Sequence, residues 1–273
     1  MQWCHLAIGS KGVGVRDGAV VRDAGALATS IRVALESGAL ARLTRAQLDA
    51  LPAFELSATT FRPVATERIF CVGRNYREHA AEMDGAVPPP AFPQIFNRYP
   101  ESLVGSGELL THPGEGREYD YEGELAIVIG RHAERIDERE ALSAVAGYAV
   151  FFDGSVRDLQ KHSLFAGKNF TRSGACGPWF VSSDEVGNAQ DLLLTTRING
   201  EVRQSARTST MIFSIPYIVA YVSRVLALRA GDVIATGTPA GVAAGRKPSP
   251  WLARHDRIAV EIERIGRLEL RIA

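Results

Sequence analysis

Three carboxylates stand out because their spacing permits metal chemistry: Glu122 and Glu124 in YEGELAIVIG, and Asp153 at the end of AGYAVFFD. A β-strand alternates its side chains, so an E-x-E pair projects both carboxylates from one face, about 7 Å apart. Tyr121, Leu125, Ile127 and Ile129 then take the opposite face, while Ala126 and Val128 continue that of the glutamates. Two carboxylates beside apolar neighbours repel each other unless a cation lies between them. Asp153 can reach out from the end of a second strand. Three oxygen donors with no His or Cys alongside suit a hard cation, Mg²⁺, Mn²⁺ or Ca²⁺, rather than zinc. The competing reading is a solvated strand face with Asp153 capping a turn, the ordinary meaning of an isolated E-x-E.

His79 and Glu82 fall three apart on a helix predicted over residues 74–83, hence on one face. A carboxylate beside an imidazole fixes its tautomer and raises its basicity, as water activation at neutral pH requires. The same spacing also describes an ordinary surface contact. Arg157 and Gln160 in SVRDLQ share a helix face, with Ser155 as the expected N-cap. Lys168 in FAGKNF sits among small and apolar residues that could hold an ammonium near an anion. Thr238 in TGTPAGV offers a hydroxyl and nearby N–H groups on a glycine-bounded loop, a carboxylate site or simply a turn.

The elements that must position these groups divide at about residue 64. Residues 1–64 read as a small N-terminal domain: a hairpin about Asp17-Gly18, a helix stopped by Gly38, and a second helix opened by a Thr44…Gln47 capping box. The glycines at 9, 12 and 14 lead into a hairpin, so they are no dinucleotide loop. Residues 65–273 carry all the candidate groups above and are expected as the catalytic, metal-binding domain. RIFCVG, YEGELAIVIG and AGYAVFFD are strands, with a helix near 137–145, and GAVPPPAFP is a stiff loop. LLLTTRINGEVRQS is a hairpin about Asn199-Gly200, and SIPYIVAYVSRVLAL is a buried helix with Ser214 as N-cap. GDVIATG, RIAVEIE and RLELRI close the chain as strands. The class is α+β and β-rich, without a βαβ rhythm.

Composition excludes other classes of function. Of 273 residues, 31 are Lys or Arg and 31 are Asp or Glu, so no basic footprint for nucleic acid exists. Cys4, Cys71 and Cys176 show no C-x-x-C spacing, which argues against a zinc module or disulfide scaffold. MQWCHLAIGSKG lacks the basic head and apolar run of a signal peptide, and no apolar stretch approaches membrane-spanning length. A cytoplasmic location and a small-molecule partner are the expectations, with no nucleic acid and no membrane.

CVGRNYREHAAEM, PQIF, DYEGELAIVIG, GYAVFFDGSVRDLQ, GKNF, GPW, NGE and GDVIATGTPAGV occur in an order and spacing that resemble the fumarylacetoacetate hydrolase family, across about residues 65–273. The resemblance implies a mixed β-roll or β-sandwich, a homodimer, and one Mg²⁺ or Mn²⁺ on Glu122, Glu124 and Asp153. It implies that His79 and Glu82 orient and deprotonate a water, that Arg157 and Gln160 face an oxyanion, and that Lys168 meets the oxo or enolate oxygens. Thr238 would take a substrate carboxylate. One departure stands in the segment IFNRYPES, where Arg98 replaces a common lysine at an expected substrate contact. His255-Asp256 and Arg264 also depart, in turns. The leading expectation is hydrolysis of a carbon–carbon bond in an acylpyruvate-like 2-oxo acid. The alternatives are an oxaloacetate decarboxylase or a hydroxydienoate isomerase on the same scaffold. A non-catalytic binding module has no use for His79, Glu82 and Lys168 together.

Overall fold

The strand that follows Glu122 and contains Glu124, Gly123–Ile129, is buried along its whole length and lies inside a sheet, as a largely apolar run requires. The computed structural model describes the chain except Ile8, Leu40, Ala41, Ala86, Val87, Pro89, Glu115 and Gly116. Part of the expected proline-rich loop therefore lies outside the described residues. On one side, Gly123–Ile129 pairs antiparallel with Val145–Phe152, which pairs with Gly174–Ser182. On the other side come Val233–Ala235, Ile69–Gly73 and Gln94–Arg98. The alternation predicted from sequence separates two cores. Tyr121, Leu125, Ile127 and Ile129 enter one, and Ala126 and Val128 the other.

A second, five-stranded sheet covers the first of these cores. It contains the predicted hairpin Leu193–Ile198 and Glu201–Arg207, with Asn199 and Gly200 both at positive φ in the turn. The two sheets approach closely beside the glutamates, where a Cβ on Gly123 would stand 2.1 Å from Thr196 Oγ1. Glycine between Glu122 and Glu124 therefore admits the second sheet.

Residues 1–64 were expected as a small domain, but they extend the large sheet. Gln2–Leu6 pairs antiparallel with Gly174–Ser182, and the hairpin Val13–Asp17 and Val20–Asp23 continues outward. Gln2–Leu6 thus joins the edge of Gly174–Ser182, and the sheet runs on across residue 64. Buried His5 ties this segment down: its Nδ1 lies 2.9 Å from Pro63 O, and its Nε2 accepts the Ile31 N–H at 2.9 Å. That N–H opens the helix Ile31–Ser37, which Gly38 ends at φ 63°. The capping box of Thr44 and Gln47 is present, and Cys4, Cys71 and Cys176 are buried thiols.

Two expected boundaries move. The helix predicted from residue 74 runs Arg77–Asp84, because Arg74 takes φ 55° and the Asn75 side chain bonds Phe213 N, Phe213 O and Thr236 O. Ser155 does not cap the next helix. It pairs in an extended segment, Ser155–Val156, with Tyr119–Asp120, and Val156 precedes the helix Arg157–Gln160. Among the described residues, no helix is long and apolar enough to cross a membrane.

Candidate active site

Adjacent strand ends bring the three carboxylates together. The Asp153 N–H donates to Glu122 O at 2.9 Å, just beyond the pairing of Gly123 with Phe152. Carboxylate oxygens of Glu122, Glu124 and Asp153 all lie within 4.8 Å of one another, and all three residues are buried. Burial, and then the charges of Asp153 and Glu122, hold Glu124 well above the usual carboxylate range. Glu124 also accepts the Gly237 N–H at 2.8 Å. Burial also works to raise Glu122, but Lys168 and Arg157 outweigh it and bring Glu122 down to about 2. Crowded, water-poor oxygen donors of one sign fit a hard divalent cation.

Lys168 closes the short helix Leu164–Lys168, whose N-cap Ser163 accepts from Ala166 N. Its Nζ donates to Glu122 Oε2 at 2.6 Å and Asp153 Oδ2 at 2.7 Å, and lies 5.3 Å from the centre of the Phe96 ring. Burial opposes its charge, yet Asp153 and Glu122 carry it above the ordinary lysine value. Arg157 spreads its guanidinium over Glu122, Gln160 Oε1 and Asp120 Oδ2.

Across the opening, His79 Nδ1 lies 3.2 Å from Glu82 Oε2, and both Glu82 oxygens accept the Gly241 N–H. A Nδ1–H donated to Glu82 leaves Nε2 as the basic nitrogen, an assignment that follows from the partner. The cavity between these groups is about 310 Å³ and is lined by Glu122, Glu124, Asp153, Lys168, His79 and Arg157. Gln160, Thr238, Arg74, Met83, Gln94 and Leu164 complete much of its wall. A larger groove of about 870 Å³ crosses the five-stranded sheet, lined by Arg197, Arg257, Arg267 and Arg271, and lies apart from the carboxylates.

Nine of the ten residues singled out in the sequence line this one cavity or, for Glu82, bond to its wall. Thr238 is there, although its hydroxyl already donates to Gly123 O and accepts from Gln204. Arg98 is not in the lining. It lies behind Asp153, fully buried, and donates to Asp153 Oδ1, Gly154 O, Ser102 Oγ and Ser173 Oγ. Its donors serve the protein, so the expected substrate contact gives way to support of a carboxylate. Sequence reasoning missed Asp120, whose signal was its place two residues before Glu122, and the N–H groups of Gly237 and Gly241.

The family description "Fumarylacetoacetate (FAA) hydrolase C-terminal" matches residues 68–273, and the chain belongs to the fumarylacetoacetate hydrolase family of enzymes. Oxaloacetate tautomerase YisK of Bacillus subtilis is 40% identical over 213 residues, covering 77% of this chain and 71% of that protein. The solved fumarylacetoacetate hydrolase of psychrophilic Exiguobacterium antarcticum is 34% identical with a TM-score of 0.84, covering 100% of this chain and 99% of that one. Maleylpyruvate hydrolase of Sphingobium sp. SYK-6, solved with manganese(II) and pyruvate, is 25% identical with a TM-score of 0.84, covering 100% and 99%.

Proposed function

We propose that this enzyme interconverts the keto and enol forms of a small 2-oxo diacid, oxaloacetate in the first instance, with a divalent cation on Glu122, Glu124 and Asp153. The observation that carries this reading is the position of the Lys168 ammonium on two of those carboxylates, with the His79–Glu82 pair facing the same small cavity. The tautomerase relative at 40% identity supports enol chemistry over the expected hydrolysis. The manganese and pyruvate held by the maleylpyruvate hydrolase support a cation and a 2-oxo acid here.

When bound, the cation supplies Lewis-acid polarisation of the 2-oxo group. His79 Nε2 takes a proton from C3 while Glu82 stabilises the imidazolium. Lys168 donates a proton to the C2 oxygen as charge arrives there, and Arg157 and Gln160 border that oxygen. Solvent then takes the proton from His79 and restores the one on Lys168. Thr238 and its loop bound the carboxylate end.

Hydrolysis of an acylpyruvate is the second reading, favoured by the full-length match to the Exiguobacterium hydrolase. There His79 would deprotonate water rather than carbon. The deciding experiment follows enol-oxaloacetate loss by ultraviolet absorbance, and acylpyruvate cleavage in parallel, with Mn²⁺ and after chelation. Cation-dependent tautomerisation without cleavage is expected; cleavage with no tautomerisation overturns the first reading. A homodimer is part of the proposal, and light scattering at micromolar concentration tests it.

A further inference from the structure

Asp120 is fully buried, and its two oxygens bond in two directions. Oδ2 accepts Arg157 Nε–H at 2.8 Å, on the oxyanion side of the cavity. Oδ1 accepts the Ala243 N–H at 2.7 Å, and Oδ2 also takes that of Ala244 at 3.2 Å. These amides open the 3₁₀ turn Ala243–Gly245. The same turn touches the opposite side of the cavity. Gly241 N–H donates to Glu82 at 3.0 and 3.2 Å, and a Cβ on Gly245 would stand 2.2 Å from Glu82 Cδ. Arg246 Nε donates to Gly241 O at 3.1 Å and closes the segment on itself. One five-residue segment is thus held between two carboxylates, each of which orients a different working side chain.

We infer that Asp120 is a positioning residue that couples Arg157 to the His79–Glu82 pair through residues 241–245, so that the donor and base sides of the cavity keep one spacing. The inference rests on the proposed roles of Arg157 and His79. Asp120 touches neither His79 nor Glu82, and residues 241–245 are the packed link that joins it to that pair. Small displacements of reacting groups cost on the order of 10²-fold in rate.

The test uses the full chain with Mg²⁺ and two variants, Asp120→Asn and Gly245→Ala, which perturb the segment from opposite ends. Two NMR readouts need no substrate, and so keep failure of this coupling apart from failure of the proposed reaction. Asp120→Asn should shift the His79 ring resonance, which it does not touch, and Gly245→Ala should shift the Arg157 Nε–H resonance. On oxaloacetate each variant should lose on the order of 10²-fold in kcat with little change in KM. The double variant should then be no worse than the poorer single one, the mark of a shared route. Either resonance staying at its wild-type position, or kcat losses that multiply, overturns the inference. If Asp120→Asn does not fold, the Arg157 resonance in Gly245→Ala decides alone.

Discussion

Arg98 Nη1 lies 2.5 Å from Asp153 Oδ1 while Lys168 Nζ lies 2.7 Å from Oδ2 of the same carboxylate. One cation faces the cavity and the other backs it, so Asp153 is fixed in orientation in a site that otherwise crowds negative charge. Removing Arg98 leaves a buried carboxylate short of a partner, which costs about 3–5 kcal/mol. Arg98→Met should therefore lower stability in urea unfolding by that order. Arg98→Lys should recover only part of it, because a single ammonium cannot reach Ser102, Ser173 and Asp153 together. A tenfold rise in KM at unchanged stability would instead return Arg98 to substrate contact.

The carboxylate cluster makes a direct prediction about metal. Glu122→Ala, Glu124→Ala and Asp153→Ala should each weaken Mn²⁺ binding by more than the roughly 10–100-fold that loss of an outer-shell partner causes. Calorimetric titration measures this without any substrate. Undiminished binding in all three would remove the site.

His79→Ala should slow tautomerisation by about 10²–10⁴-fold, the usual weight of a positioned base. Glu82→Gln should cost less, since Gly241 can still donate to its remaining oxygen. Metal affinity should hold in both, checked by the same titration. A His79→Ala enzyme of wild-type rate would show that the base lies elsewhere.

His5 predicts a pH dependence of stability far from the active site. Burial first, and then nearby Arg62, lower its pKa from 6.5, although its bond to Pro63 O opposes them. The unfolded chain therefore binds a proton more readily than the folded one, and stability falls as pH drops below about 6.5. It is present at and above neutrality, and is lost progressively toward the lowered folded value. Thermal unfolding from pH 7.5 to 5 should show the decline, and His5→Gln should flatten part of it. His5→Leu, which removes the acceptor at Ile31 N, should also cost about 1–3 kcal/mol at pH 7.5. An identical pH slope in the variant would rule His5 out as a source.

Much of the site was legible because its signals are local. The strand period placed Glu122 and Glu124 together, helix spacing paired His79 with Glu82, and Asn199-Gly200 and Ser214 announced their turn and cap. What stayed hidden depends on segments distant in sequence. Nothing near Arg98 reveals that Ser173 and Asp153 will consume its donors, and nothing near Asp120 reveals Ala243. Ser155 has the chemistry of an N-cap, but pairing with Asp120 draws its backbone into an extended form instead. The join of residues 1–64 to the large sheet was hidden likewise, since Gln2 meets Val181 only after the intervening chain is in place.

That late meeting bears on how the molecule comes into being. Gln2–Leu6 waits for Gly174–Ser182, and Ile69–Gly73 waits for the parallel strand Val233–Ala235. Pairings this remote in sequence bear a large loop-closure entropy before any contact rewards it, which makes folding slow. On the ribosome, the edge of Ile69–Gly73 that faces Val233–Ala235 stays unpaired until that later strand has emerged. The carboxylates of Glu122 and Asp153 can meet earlier, but Gly237 and Gly241 follow Asp153 by more than eighty residues. A nascent chain thus holds its three acids before it holds the loop that organises them.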